Sequence, residues 1–412
     1  MNPLHNPTTR ILYLLVMICL KHSSLTQAFV STNKHDLLFG RYCTRLHGEI
    51  PRRTFHESFL AGLIGGEILS FGMTDSANAY VSNTKALVDV PMVRLRLPKG
   101  GFGREYVALK MKVKGQGPFD FMVDSGLTTE LITPHLQGIL NIQEGRNKIS
   151  AIAGGGETAS NPIVELDGLS IDVGDAAASG PALPKLSAVI TDFPQEHIDP
   201  AHDPVEGMIG MELLSLFDVD LDFPNNRIRL FEPGRADTTG LSELPAVVIN
   251  ESMLIGIRIS TPENSQPILG FLDCGSTFSC INWKAAQILG LPPQTDPVYR
   301  KGPAIVALGV DGRPLNLPTV RKQLSYAGNP IVDPDSRRAV GFERPPANWK
   351  PWDPVQLAVG DIPVFSNILG DGVTPYQGPA ALIGLDVLAQ RRLILGAGAS
   401  NSRKRKVAVS FG

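Results

Sequence analysis

Along most of the chain apolar and polar positions alternate with a period of two, in short runs broken by turns rich in Gly, Pro and Asn. That pattern predicts many short strands and few helices, an all-β fold. The runs also recur in a fixed order. In the first unit, 107–113 alternates, Gly115-Gln116-Gly117-Pro118 reads as a turn, and Phe121-Met122-Val123 runs as an apolar strand into Asp124-Ser125-Gly126. A short helix is expected from Thr133-Pro134. An alternation at Ile149, Ala151 and Ala153 then ends in Gly154-Gly155-Gly156, and strands follow at 163–166 and 169–173. The unit closes with Met208-Ile209-Gly210-Met211-Glu212-Leu213-Leu214 and two strands, 217–223 and 228–230, around the turn Pro224-Asn225-Asn226.

The second unit repeats this plan. Residues 255–259 alternate, 262–267 are turn-rich, and Gly270-Phe271-Leu272 enters Asp273-Cys274-Gly275-Ser276-Thr277. A helix is expected over 282–288 with Trp283 on its apolar side, and a glycine tip recurs at Gly309 and Gly312. The closure is Ala381-Leu382-Ile383-Gly384-Leu385-Asp386-Val387-Leu388, then strands at 392–395 and 406–410. The boundaries that follow are a first lobe at 105–233, a linker at 234–249, and a second lobe at 250–412. Residues 80–104 are an N-terminal segment in which 88–97 alternates like a strand, as an inhibitory pro-segment or as part of a sheet between the lobes. The second lobe carries an insertion at about 322–371, rich in Pro and charge. Its Trp349 and Trp352 favour an ordered, packed loop, with a docking surface as the alternative.

Residues 1–79 read differently. Arg10 precedes an apolar run, 11–20, stopped by Lys21, which is too short to span a bilayer but suits the core of a secretory signal. Small residues at Thr26 and Ala28 offer a cleavage site, so 1–28 is expected to be a signal peptide. Thr26-Gln27-Ala28-Phe29-Val30 resembles the cleavage motif of the two-part plastid presequences of diatoms and related algae, although the usual Ala-Ser before Ala-Phe is missing. Within 29–79, Arg52-Arg53 precede a weakly apolar run, 59–71, interrupted by Glu67, and Ala77-Asn78-Ala79 offers a second cleavage site. This resembles a twin-arginine signal for the thylakoid lumen; a buried first helix of the mature protein is the alternative. The expected location is the plastid, in the thylakoid lumen, with a mature start near Tyr80. Ordinary secretion is the other reading, and only there does the sequon Asn250-Glu251-Ser252 carry meaning.

Charge narrows the partners. The chain has 38 Lys and Arg against 40 Asp and Glu and no long basic stripe, which argues against nucleic acid. Arg403-Lys404-Arg405-Lys406 is expected to be a solvated hairpin tip. Past residue 80 only Cys274 and Cys280 remain, a pair that argues against a zinc knuckle and a disulfide framework, so free thiols and no metal or cofactor are expected. Three histidines remain: His135, and His197 and His202 in an acidic loop at 193–206. A histidine-dependent nucleophile needs its base within hydrogen-bond reach, and no nucleophile-elbow motif accompanies His135.

What stands out is the pair of aspartates, each delivered by an apolar strand and followed by a small residue and Gly. At these residues the chain resembles the pepsin and retroviral protease superfamily, and more closely the retropepsin-like proteins of plants and algae that carry two such units in one chain. The resemblance spans about 107–412. It implies a bilobal aspartic protease fold, two retropepsin-like β-barrel lobes with the active site between them. Asp124 and Asp273 would be the catalytic pair, and Ser125, Gly126, Cys274, Gly275 and Ser276 the supporting loops, the glycines letting each loop turn and expose its carboxylate. The Ile209-Gly210 and Ile383-Gly384 elements would pack beneath these loops, and 211–214 and 385–388 would open short helices. The glycine-tipped hairpins would be flaps over a peptide.

The implied activity is aspartic endopeptidase. Two carboxyl groups within hydrogen-bonding range cannot both ionise cheaply, so they hold one proton between them and activate a water. Peptide or protein would be the substrate, and the mature chain would not stably span a membrane. A monomer is expected, because the linker makes pairing within the chain far easier than between chains; a homodimer is the alternative. Three departures stand against the pattern: Cys274 where Thr or Ser is usual, Leu127 where a small residue is frequent, and no equivalent of the pepsin flap Tyr. They keep a second reading open, a weak or inactive protease-like domain that binds a peptide or protein partner in its cleft. The retained pair favours the enzyme, since two repelling buried carboxylates cost stability without a structural purpose.

Overall fold

Each lobe is organised around two antiparallel strands, the second of which ends at the aspartate. In lobe 1, Tyr106–Val113 pairs with Gln116–Val123, with Ala108 opposite Met122. In lobe 2, Leu254–Thr261 pairs with Asn264–Leu272, with Gly256 opposite Phe271. These strands belong to a computed structural model that describes residues 85–411 apart from short loop stretches. Before residue 85 it describes only the backbone of Leu12–Leu15 and Cys19–Leu20. Apart from those two strands, the expected signal and transit segments lie outside the described residues. So do the sequon, His197, the flap tips at 154–155 and 310–311, and most of the basic run at 403–406.

The strand that carries each aspartate lies centrally in its sheet. Gln116–Val123 is exposed at its start and completely buried from Asp120 on, because it passes from the hairpin end into the middle of the molecule. Its other edge takes Val205–Ile209 in parallel, Ile209 opposite Val123. Glu130–Ile132 then pairs antiparallel with Val205–Ile209, and Leu186–Ile190 pairs parallel with Glu130–Ile132. Lobe 2 repeats the order: Ala380–Ile383 parallel to Asn264–Leu272, then Cys280–Ile281, then Val355–Val359. Phe121 and Phe271 are buried at matching places in the two cores. Truncating either to Ala would cost about 3–5 kcal/mol.

The expected helices are present and capped by their own sequence. Thr133 Oγ1 accepts the Leu136 N–H at 3.0 Å at the start of Pro134–Ile139, and Asn282 Oδ1 accepts the Ala285 N–H at 2.8 Å at the start of Trp283–Ile288. Met211–Leu214 and Leu385–Leu388 are single turns that follow Gly210 and Gly384. Among the described residues no helix is long and apolar enough to cross a membrane.

A third sheet joins the lobes. Its six strands lie in the order Leu241–Pro245, Lys406–Ser410, Leu393–Leu395, Asp218–Asp222, Arg227–Phe231 and Val88–Pro91. The alternation at 88–97 thus divides into Val88–Pro91 at the edge of this sheet and Val93–Leu95 against lobe 1. The linker is equally structured: Leu241–Pro245 lies in the joining sheet and Val247–Ile249 begins the lobe 2 sheet. At the sheet's centre the wholly buried Asp220 takes two guanidinium groups, Arg229 Nη1 at 2.8 Å from lobe 1 and Arg392 Nε and Nη2 at 2.9 Å from lobe 2.

The stretch 322–371, expected as an insertion, is narrower than its composition indicates. Val355–Val359 is a core strand of lobe 2, in the place that Leu186–Ile190 takes in lobe 1. Its Pro- and charge-rich neighbours mask it in the sequence. Trp349 and Trp352 are buried and stack edge to face at 5.1 Å, and the Arg391 guanidinium lies 4.6 Å from the Trp349 ring. Arg391 also donates to the carbonyls of Lys350 and Pro351, so the tryptophans anchor the loop to lobe 2 and offer no docking surface.

Both glycine-tipped hairpins form. Ala151–Ala153 pairs with Gly156–Glu157, and Ala304–Gly309 with Pro314–Lys322. Each also pairs with the chain's N-terminal region: Cys19–Leu20 runs antiparallel to Ala151–Ala153, and Leu12–Leu15 parallel to Ala304–Gly309.

Candidate active site

The two aspartates are brought together at the ends of their strands, and their surroundings are nearly identical. Asp124 N–H donates to the Ile209 carbonyl and Asp273 N–H to the Ile383 carbonyl, each at 2.9 Å. Beyond each loop the chain is tied to the next element, Met211 N–H to Leu127 O at 2.7 Å and Leu385 N–H to Ser276 O at 2.8 Å. The Ile-Gly elements therefore pack beneath the loops, as the resemblance implies. One oxygen of each carboxyl is fixed locally: Gly126 N–H donates to Asp124 Oδ1, and Gly275 N–H to Asp273 Oδ1, both at 2.8 Å. The other oxygen, Oδ2 in both residues, receives no hydrogen bond from a protein donor, and both side chains are fully buried.

The two carboxyl groups lie within hydrogen-bonding reach of one another. Burial pushes both up from the usual aspartate range, and the charge of Asp124 adds to the effect on Asp273. Backbone N–H groups at Gly126 and Gly275 oppose the shift without cancelling it. The pair consequently keeps a proton through the mildly acidic range, as one coupled unit.

The glycines have a sharper role than giving the loop freedom to turn. A Cβ on Gly126 would lie 2.7 Å from Asp273 Cγ, and one on Gly275 would lie 2.3 Å from Asp124 Cγ. Each glycine makes room for the opposite lobe's carboxyl. Neither has a positive φ, so the requirement is close approach.

Across the axis the loops are joined through Ser125. Its Oγ donates to the Leu272 carbonyl at 2.8 Å and accepts the Cys274 N–H at 3.0 Å. Cys274 holds the matching position with a thiol, which burial pushes up to about 12 and keeps protonated. Ser276 bonds locally, Oγ to the Phe278 carbonyl at 2.7 Å, and Leu127 is buried beneath its own loop. The segment before lobe 1 also reaches the second loop: Arg104 N–H donates to Thr277 O at 2.9 Å, and the Phe102 and Phe278 rings lie 6.1 Å apart.

His135 and His202 lie elsewhere. His135 Nδ1 is 2.6 Å from Glu206 Oε1, and His202 Nε2 accepts the Arg96 N–H at 2.9 Å. Cys274 and Cys280 are buried free thiols. Four residues of the site's second layer were not read from the sequence: Glu130, Glu212, Ser279 and Asp386. Their signal was present, since Glu130 is a carboxylate inside an apolar strand and Glu212 and Asp386 each follow an Ile-Gly element by two residues.

Residues 109–213 match the aspartyl protease family model, a stretch that includes Asp124, Ser125, Gly126 and the Ile209-Gly210 element. A search among curated proteins returns no match. Among solved structures, the crystal structure of basic 7S globulin from soybean aligns with 79% of this chain and 94% of its own. Its sequence identity is 11% and its TM-score 0.39, too low to argue from.

Proposed function

We propose that the chain is an endopeptidase whose water-activating group is the Asp124–Asp273 pair, a reading supported by the match of residues 109–213 to the aspartyl protease family model. One observation carries this reading: two buried carboxyl groups face each other with their Oδ2 atoms unclaimed by any protein donor. In the proposed reaction the ionised member takes a proton from a water as that water attacks the amide carbon. The protonated member donates to the carbonyl oxygen, and the leaving nitrogen receives a proton as the C–N bond breaks. The substrate is an extended peptide or protein segment, and the edges of Ala151–Ala153 and Ala304–Gly309 support main-chain pairing with it, since each pairs with a strand from the N-terminal region. The proposed working form is a monomer in the thylakoid lumen after removal of residues 1–79, with the secretory route as the alternative.

The thiol of Cys274 favours a second reading, a weak or inactive domain that holds a peptide in its cleft. A thiol is a poor hydrogen-bond partner, so the two loops are held together less firmly than by a pair of hydroxyls. Peptide-library cleavage by the full chain and by chain processed near Tyr80, across pH 4 to 7 and beside D124N and D273N, tests the proposal. Cleavage strongest on the acid side and lost in both variants is the expected result. Folded protein that binds peptides without cutting them would establish the second reading instead.

A further inference from the structure

Directly behind the two aspartate loops the lobes use different chemistry at matching positions. In lobe 2, Ser279 Oγ donates to Asp386 Oδ1 at 2.6 Å and accepts the Gly384 N–H at 3.0 Å. A hydroxyl thus joins the strand after the loop to the helix Leu385–Leu388. At the same distances from Asp124 and from Gly210, lobe 1 has Glu130 and Glu212. Glu130 is wholly buried; its Oε1 accepts the Leu213 N–H at 3.0 Å, and its Oε2 receives no bond from a protein donor. Glu212 Oε1 accepts the Ser187 N–H at 3.1 Å and Oε2 the Thr129 hydroxyl at 3.4 Å. The two carboxyl groups lie within hydrogen-bonding reach.

Among the described residues no cation is positioned to neutralise them. Helix Met211–Leu214 presents Glu212 itself. On strand Val205–Ile209, Glu206 is turned to Thr133 and His135. Strand Leu186–Ile190 has no charged residue, and Lys185 just before it pairs with Glu165 at 2.6 Å. On the next strand inward, Asp120 pairs with Lys110 at 3.0 Å. Two ionised carboxylates are acceptors only and repel; a single proton between them makes a donor and an acceptor.

We propose that Glu130 is a positioning residue for Asp124: it shares a proton with Glu212, and that proton ties strand Glu130–Ile132 to helix Met211–Leu214. The same helix start holds Leu127 O through Met211 N–H, and the strand before it holds Asp124 N–H through Ile209 O. Losing the proton therefore loosens the Asp124 loop from behind. Burial and the neighbouring charge both push Glu130 well above the ordinary glutamate range. The tie is complete below that range and is lost as pH rises through the raised value. As a statement about the reaction this rests on the endopeptidase reading; as a statement about lobe 1 it does not.

The test uses the full chain with ¹³C-labelled glutamate carboxyls, in which the aspartates are silent, followed by NMR and thermal unfolding from pH 4 to 8. One glutamate should titrate well above the rest, and its signal should vanish in Glu130→Gln. The amide of that variant donates to Glu212 at every pH, so its Tm should fall less with pH than that of wild type, the remaining fall coming from the buried aspartates. Glu212→Gln should flatten the curve in the same way. With peptide substrate, the alkaline limb of kcat should move up by about one pH unit in E130Q, a tenfold change in proton affinity, with KM unchanged. The proposal is overturned if no glutamate titrates above its ordinary range, or if E130Q lowers Tm equally at every pH. Absence of any cleavage by wild type would count against the endopeptidase reading and leave the carboxyl and Tm results to decide this one.

Discussion

Ser125 and Cys274 face each other across the axis between the lobes, and Ser125 supplies a hydroxyl that spans the gap while Cys274 supplies a thiol. Ser125 Oγ reaches both the Leu272 carbonyl and the Cys274 N–H. Cys274→Ser would give the second side the same pair of bonds. Each buried bond is worth about 1 kcal/mol, so the variant should melt higher and keep or raise activity. Ser125→Ala should do the reverse, costing about 1–3 kcal/mol because a buried N–H and a carbonyl lose their partner. Thermal unfolding of the two variants checks both signs.

The same thiol should resist chemistry. Cys274 is buried and its pKa is pushed up to about 12, and burial pushes Cys280 up as well. The thiolate is the reactive form. Iodoacetamide should leave Cys274 and Cys280 unlabelled in folded protein and label both in urea. Fast labelling of the native state would contradict this geometry.

Gly275→Ala should be more damaging than Gly126→Ala. The added methyl would lie 2.3 Å from Asp124 Cγ in the first case and 2.7 Å from Asp273 Cγ in the second, so one carboxyl must move. Cleavage should fall by at least about a hundredfold in G275A, the scale expected when a reacting group shifts by an ångström. Circular dichroism of the same samples separates loss of geometry from loss of fold.

Stability should fall as pH rises from 4 towards 7. Asp124, Asp273 and Asp386 all have pKa values raised by burial, Asp386 to about 6 from 3.8. A carboxyl that binds its proton more tightly when folded contributes full stability below its unfolded value and loses it up to the folded one. For Asp386 the window is therefore 3.8 to about 6, with a size of order 3 kcal/mol. Asp386→Asn should flatten the Tm curve within that window and leave the part above it unchanged. A Tm that climbs over this range would refute the assignment.

These contrasts also mark what could be read from the chain itself. The two aspartates, their glycines and the Ile-Gly elements are local words, each a strand end followed by a turn, and the sequence states them in full. Thr133 and Asn282 likewise cap their helices from the next position. Val355–Val359 was hidden because a strand flanked by Pro and charge looks like loop until its partner, Cys280–Ile281, is known. Glu130 with Glu212, and Ser279 with Asp386, were missed for a related reason. Members of each pair lie far apart in sequence and meet only when the Ile-Gly element slides under the loop.

Asp220→Ala should destabilise both lobes together. It would leave Arg229 and Arg392 without their shared carboxylate at the centre of the joining sheet, a loss of about 3–5 kcal/mol for a broken buried ion pair. One unfolding transition at lower temperature is the expected calorimetric trace. Two separate transitions would mean the lobes are independent.

The joining sheet also fixes the order in which a growing chain can be finished. Its edge strand Val88–Pro91 emerges more than 300 residues before Lys406–Ser410. Leu241–Pro245, from the segment between the lobes, pairs among the described residues with Lys406–Ser410 alone. A first half synthesised alone would present the unpaired edge of Asp218–Asp222 until Leu393–Leu395 has been made. Two polypeptides cut at residue 234 would each carry the complement of the other's exposed edge, and should reassemble only with one another.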